Sequence, residues 1–408
     1  MIVIGGGLGG LLSAALCRSD EKVLLFEKSR SLGGRFRNFN RDGYALTTGA
    51  LHMIPHGSSG PLARILGMVG SDCKIIDSDP WGLFMTDGRI KRMRQIRKTL
   101  PFSDKVRIAK MLFQMRYLKP PDVTIGDYFD SNFRDKIISK MVRCFLGWSV
   151  SSPPSEVSMT DFSHIVKNVY KYGGPGMPIG GCSGVIDSLK TVIKKKDVEV
   201  IHERISSIIV EEGSAIGVET KDGQEYYDET LVSNIGSSRT MDLCGRKNID
   251  NGFRKRVDSI RPSGGIKINF SSNESLVGHN GVLFPLDCER VEGINEATSV
   301  DSSLAPAGRH LMMSHQTLYG KNIKSEIKKG ITDLEEVFPG KDFDVICAQT
   351  YFGKNPVNLA SQGQDLTPFD FPISNLYLVG DGIKGKGGIE VEGIALGALD
   401  LNNKINSP

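Results

Sequence analysis

The sequence predicts an α/β fold: a Rossmann-like dinucleotide-binding domain gathered from separated stretches of chain, with an α+β substrate domain interleaved between them. Three observations predict it. Residues 2–11, Ile-Val-Ile-Gly-Gly-Gly-Leu-Gly-Gly-Leu, read as a short buried strand, a glycine turn spaced G-x-G-x-x-G and a helix start. Near the other end, Asn375 to Val379 reads as a second buried strand, ending in Gly380-Asp381 and followed by a glycine-rich turn and another helix start. Between them, 54–176 and 245–367 carry no nucleotide signals. A length of 408 residues suits two domains.

Within the opening unit the glycines have separate physical roles. Gly5 permits the turn, Gly7 lets the backbone approach a pyrophosphate, and Gly10 lets helix and strand pack closely. Leu11 to Leu16 then reads as a helix, whose unpaired amides and dipole favour phosphate charge, with Leu8 and Gly9 of the turn expected at the cofactor. Lys22 to Glu27 reads as the next strand. Its terminal Glu27, followed by Lys28, lies about twenty residues past the turn, where an acid meets an adenosine ribose 2′-hydroxyl. The alternative is a glycine-rich turn in an unrelated sheet. The flanking strand and helix, and Glu27 itself, favour the dinucleotide.

Composition excludes several classes. The chain is 39% hydrophobic and 24% charged, as expected of a globular protein with a sizeable core. A net charge of +4 does not argue for nucleic acid. The seven cysteines are odd in number, scattered and never spaced CxxC, which speaks against a disulfide framework or a cysteine zinc site and for a reducing compartment. The histidines show no metal-site spacing, so no metal is expected. No apolar run reaches membrane-span length, and the nucleotide motif begins beside Met1. The expectation is a cytoplasmic protein without a signal peptide.

After Lys28 comes Ser-Arg-Ser-Leu-Gly33-Gly34-Arg35. Paired glycines again let the backbone pass something bulky, and Arg35 offers a fork of donors for a phosphate. Gly43 to His52 then alternates like a strand and breaks at Gly49. With these residues in place, the segment from Ile2 to His52 resembles the N-terminal signature of the flavin amine oxidase and phytoene desaturase superfamily. The resemblance implies an FAD-binding Rossmann-like domain of the glutathione-reductase type. It places the pyrophosphate on the first turn, Glu27 on the ribose, and Thr48, Gly49, Ala50 and Leu51 beside the flavin. His52, the one histidine next to a cofactor motif, is expected to line the pocket.

The middle of the chain changes character. Arg89, Lys91, Arg92, Arg94, Arg97 and Lys98 crowd together, and a helix is expected from Asp104 to Leu118, capped by Ser103 and ended by Pro120-Pro121. One reading is a solvated charge run beside a core-facing helix. The other is peripheral contact of 89–118 with an anionic membrane surface. Asp161 to Tyr172 reads as a further helix.

Pro178-Ile179-Gly180-Gly181 followed by a helix again resembles the desaturase family, in which the chain here re-enters the FAD domain. Strands are expected at 198–201, 204–208 and 231–234, with a hairpin of 215–220 and 224–227 through Asp222-Gly223. The resemblance implies that Ile205 packs near adenine; the residue alone reads equally as core. Beyond 245, strands are expected at 266–270, 282–285 and 310–315 and a helix at 323–337. Lys267 has two readings, a lysine reaching a flavin edge as in some amine oxidases, or an outward-facing strand residue.

Gly380-Asp381 and the helix start Ile389-Glu-Val391 resemble the family's C-terminal signature. That implies Asp381 on the ribityl chain, and Gly388, Ile389 and Val391 at a helix end that stabilises charge on a reduced flavin. Lys384 and Lys386 either add to this or are solvent charges. The expected division is 1–53, 177–244 and 368–408 for the FAD-binding domain and 54–176 and 245–367 for the substrate-binding domain.

Flavin chemistry needs no acid–base pair from the protein, so the catalytic candidates reduce to His52 and Lys267. The P-x-G-G and G-I-E-x-E-G variants are similar to those of the phytoene desaturase, carotenoid isomerase and retinol saturase branch. That branch implies hydride transfer between flavin N5 and an apolar isoprenoid or polyene substrate; the sequence names no electron acceptor. A flavin amine oxidase is the second reading, weakened because only Trp81 and Trp148 occur and no aromatic pair is evident. A flavin-free isoprenoid-binding protein of the Rab GDP-dissociation-inhibitor type is the third. Glu27, Gly33-Gly34-Arg35 and Gly380-Asp381 speak against it.

Overall fold

A computed structural model describes residues 1–18, 20–260, 262–352 and 366–405. Its centre is a five-stranded parallel sheet, ordered Leu376–Leu378, Leu231–Ser233, Ile2–Ile4, Leu24–Phe26, Glu199–Ile201. These strands are short apolar runs, as expected where both faces are covered. On one face the helices Leu8–Leu16, Pro61–Met68, Gly181–Lys195 and Glu390–Ile405 bury a core that includes Val3, Leu11, Leu25, Leu189 and Ala395. On the other lie the antiparallel strands Ile205–Glu211, Ser214–Thr220 and Glu225–Tyr227 and the helix Ser237–Cys244, around Ile2, Phe26, Ile205, Val218 and Met241.

A second sheet of seven strands runs Asp344–Tyr351, Gly265–Ser272, His310–Thr317, Gly293–Glu296, Val282–Pro285, Gly82–Thr86, Arg89–Lys91. It is antiparallel except where Gly82–Thr86 pairs parallel with Val282–Pro285. Gly265–Ser272 is buried along its whole length rather than on alternate residues, because it lies inside the sheet with both faces covered. A helical layer, Phe102–Tyr117, Ile125–Asn132, Lys136–Val150 and Met159–Tyr172, forms its own core and reaches Ile389 at the start of the last helix.

Three expected elements shift. The helix expected at 104–118 runs Phe102–Tyr117, capped by Pro101 without a side-chain bond. Ser103 lies inside it: proline's fixed φ is already suited to the turn that enters a helix. The basic run divides between the strand Arg89–Lys91 and the helix Met93–Thr99. The helix expected from Asp161 begins at Met159, because Ser158 is its cap: the Ser158 hydroxyl accepts from the Asp161 amide at 3.0 Å and donates to its carboxylate at 2.6 Å.

Candidate functional site

The opening strand ends at Gly5, whose φ of +98° suits glycine. The chain then turns into Leu8–Leu16, whose cap Gly7 supplies no side-chain bond, so the first amides of this helix stay available to a ligand. A Cβ on Gly7 would lie 2.7 Å from Asn234 Nδ2, and one on Gly9 would lie 3.0 Å from the Gly380 amide. The turn therefore meets two distant segments, 234 and 380, with no room for side chains. Asn234 links them, donating Nδ2 to the Gly5 carbonyl at 3.2 Å.

Glu27 closes one side. Its Oε2 accepts from the Gly6 amide at 2.9 Å and its Oε1 from the Ser29 amide at 2.8 Å. Two backbone bonds orient the carboxylate and leave lone pairs for hydroxyls. The Gly33 amide donates to the Gly6 carbonyl at 2.7 Å, which brings the Gly33-Gly34-Arg35 loop over the turn. Arg35 forms an ion pair of 2.5 Å with Asp381, and Lys384 reaches the other Asp381 oxygen at 3.4 Å. Lys384 is thus buried against an acid rather than a solvent charge, and burial lowers its pKa while Asp381 and Glu390 oppose the shift.

These residues line one cleft of about 500 Å³. It takes in Gly5, Gly7, Leu8, Gly9, Glu27, Lys28, Gly33, Gly34, Arg35, Thr48, Gly49, Ala50, Leu51, Ile205, Gly380, Asp381 and Val391. Its walls are largely apolar, through Phe26, Met53, Ile235, Leu243 and Ile394.

Five expected site residues lie outside its lining. Gly10 packs instead: a Cβ there would stand 2.1 Å from the Gly5 carbonyl oxygen. Gly388 bonds to the Gly385 carbonyl and has its space filled by Gly393, and Ile389 belongs to the core of the helical layer. His52 is fully buried, with Nε2 bonded to the Ala45 carbonyl at 2.9 Å and Nδ1 accepting from the Cys182 amide at 3.2 Å. Burial pushes it down to about 4, so it is a neutral structural group. Lys267 fits neither of its readings. It is buried, and Nζ donates to the carbonyls of Thr47 and Gly49, both at 2.7 Å. Burial pushes its pKa down to about 7. It holds the backbone of the loop that lines the cleft rather than reaching the cleft itself.

Several lining residues escaped the sequence reading: Asn234, Arg239, Tyr351 and Glu390. Glu390 is the first residue of the last helix, at φ +45°. Burial raises its carboxyl to about 8, Lys384 opposes the shift, and Asp381 and Glu392 add to it. At neutral pH this carboxyl keeps its proton inside the cleft. The acid was visible in Gly-Ile-Glu-Val-Glu, since acids favour a helix start. Tyr351 bonds to Ser151 at 2.7 Å and to His315 and gave no local signal, being placed by sheet pairing. Among the described residues no cluster of His, Cys, Asp and Glu could hold a metal ion.

The fold and this cleft define a protein with a dinucleotide-binding fold of Rossmann type, whose cleft is also lined by Tyr351 of the seven-stranded sheet. The family model for NAD(P)-binding Rossmann-like domains matches residues 3–68, and that for glucose inhibited division protein A matches 185–271. An uncharacterized protein of Methanocaldococcus jannaschii is 40% identical over 99% of both chains. A solved oxidoreductase from Methanosarcina mazei is 38% identical, with a TM-score of 0.92 over 98% of this chain and 99% of its own. Prolycopene isomerase of Arabidopsis thaliana is 25% identical, the match covering 76% of this chain and 62% of the plant protein. A putrescine oxidase shares the fold, at 12% identity and a TM-score of 0.75 over 99% of this chain and 98% of its own. The chain belongs to the flavin amine oxidase and phytoene desaturase superfamily of oxidoreductases.

Proposed function

We propose that the cleft binds FAD and that the protein transfers hydride between the flavin and an apolar, isoprenoid or polyene substrate, as a desaturase, saturase or isomerase. Residues 1–53, 177–244 and 368–408 are taken as the cofactor-binding part and 54–176 and 245–367 as the substrate-binding part. When bound, FAD supplies a two-electron centre that accepts or releases hydride. The residues fit such a group: uncapped helix amides at Leu8 and Gly9 for a pyrophosphate, Glu27 for a ribose, Arg35 and Asp381 for the polar chain between the rings.

The observation that carries the substrate class is the wall of Ala50, Leu51, Met53, Val391 and Ile394 around the loop that Lys267 holds. These side chains exclude water from the reacting region. Among the described lining residues the aromatic side chains are Phe26, Phe36 and Tyr351, and no ring contact joins any two of them, so they do not form the aromatic pair that an amine cage needs. Glu390, whose carboxyl burial raises to about 8, can donate a proton there, and the carboxylate this leaves is offset by Lys384.

The test uses protein reconstituted with FAD. The oxidised and photoreduced forms are each mixed with a carotenoid-type polyene and with a primary diamine, and the flavin absorbance is followed. Reoxidation or reduction by the polyene is the expected result. Bleaching by the amine alone would replace the isoprenoid reading with an amine oxidase. Failure to retain any flavin would overturn both.

A further inference from the structure

The helix Phe102–Tyr117 carries apolar residues on its packed face, where Ile108 and Leu112 join the buried Met111 and Met115, and also on the face it turns outward. Its inner face buries Asp104, Met111 and Met115. Its outer face carries Phe102, Val106, Ala109, Phe113 and Tyr117, at successive steps of four, three, four and four residues, which is one stripe of an α-helix. Phe102, Val106, Phe113, Tyr117 and the following Leu118 each expose more than half of their surface, Phe102 81% of it. Phe113 and Tyr117 touch, with ring centroids 5.0 Å apart. Ile90 and Met93, on the neighbouring hairpin strand and helix, are also more than half exposed. Scattered surface apolar residues need no explanation, but a contiguous stripe does.

Charge identifies what covers it. Residues 89–118 hold ten lysines and arginines against one acid, Asp104, which is buried and paired with Arg107 at 2.8 Å. The other 378 residues hold the remaining 41 of 51 cations against 46 of 47 acids, so the chain's positive charge is concentrated here. Arg89, Arg92, Arg94, Arg97 and Lys98 are exposed beside the stripe, and Lys110 and Arg116 are exposed on the helix itself. Lys105 Nζ donates to the Lys98 carbonyl at 3.2 Å, which ties the start of the long helix to the end of the basic one. Exposed rings and aliphatic side chains between cations match the boundary of an anionic bilayer, where apolar groups enter the acyl layer and cations stay at the headgroups. Among the described residues no helix is long and apolar enough to cross a membrane.

We propose that Met93–Thr99 and Phe102–Tyr117 form a docking surface for an anionic lipid bilayer, on which the protein lies without spanning it. The inference rests on this surface alone and does not depend on the redox reading. The experiment is co-sedimentation of the full-length protein with vesicles of phosphatidylcholine alone and with phosphatidylglycerol added, at low and at physiological salt. Binding is expected only with the anionic lipid and is expected to weaken with salt.

A variant with Arg92→Gln, Arg94→Gln, Arg97→Gln and Lys98→Gln, and another with Phe102→Ser and Phe113→Ser, should each lose binding by about tenfold or more. Lys194→Gln with Lys195→Gln, exposed cations on the helix Gly181–Lys195, should leave binding unchanged. Circular dichroism melting confirms that each variant is folded. The proposal is overturned if the folded protein ignores anionic vesicles, if both stripe variants bind as before, or if the Lys194/Lys195 variant loses as much. Loss in the arginine variant but not in the phenylalanine variant, together with retention of duplex DNA at physiological salt, would reassign the surface to nucleic acid.

Discussion

Glu27 accepts two backbone N–H groups and still presents free lone pairs to the cleft, so its removal acts on both the loop and the ligand. Glu27→Ala should lower FAD affinity by at least about tenfold, since a charge-assisted bond contributes about 1.5–3 kcal/mol; fluorescence titration of the flavin measures it. Glu390 makes a pH-dependent contribution. Its carboxyl moves from 4.5 in the unfolded chain to about 8 in the fold, so between these values the folded protein holds a proton that the unfolded chain has released. The stability of the flavin-free protein should therefore fall as pH rises through that window. Glu390→Gln should lessen the fall, the remainder coming from Glu292 and Glu392, whose carboxyls burial raises to about 7. Urea midpoints of both proteins from pH 5 to pH 8.5 compare them, and parallel curves would contradict the buried, protonated acid. Lys267→Met leaves the Gly49 carbonyl without its donor and should destabilise the fold by about 1–3 kcal/mol. The readout that separates it from a catalytic residue is flavin retention falling together with stability.

At the scale of elements, the first βαβ unit depends on Gly10 for closeness rather than for ligand contact. Gly10→Ala places a methyl group 2.1 Å from the Gly5 carbonyl oxygen and should cost about 1–3 kcal/mol or more, read from denaturant unfolding. Elements with a local signal were legible: the strand at Ile2–Ile4, the helix at Ile323–Val337, and the hairpin through Asp222-Gly223 all follow from apolar period and turn residues. Elements whose signal is pairing were not. Asp344–Tyr351 and Gly293–Glu296 became strands by lying beside Gly265–Ser272 and His310–Thr317, which no local pattern announces. The cap at Ser158 was legible in principle, since Ser-x-x-Asp precedes an apolar run, and it was missed in favour of Asp161.

For the whole molecule, the cleft is lined by stretches near residues 5, 27, 35, 50, 205, 235, 380 and 390, so one ligand touches much of the fold at once. Excess FAD should raise the stability of the entire chain, by about 2.7 kcal/mol at a hundredfold excess over Kd. A single thermal transition moving upward with FAD concentration is the expected measurement; a transition that stays put would mean that the cleft does not take FAD. Arg35 and Asp381, 346 positions apart in sequence and 2.5 Å apart in space, show why the site depends on the folded molecule rather than on one motif.

By itself the sequence determined the α/β class, the glycine turn and Glu27, because strand, turn and helix start follow from residues within a few positions of each other. The resemblance of its separated motifs carried the family. Only the tertiary structure decided which groups face the cleft. His52 stands next to a cofactor motif and Lys267 in a distant strand outside any such motif, yet both turn into the interior, because buried carbonyls and amides needed polar partners there. Asn234, Tyr351 and Glu390 face the cleft because sheet register and a helix start place them there. Local pattern specifies an element; where a side chain points depends on what the rest of the chain packs against it.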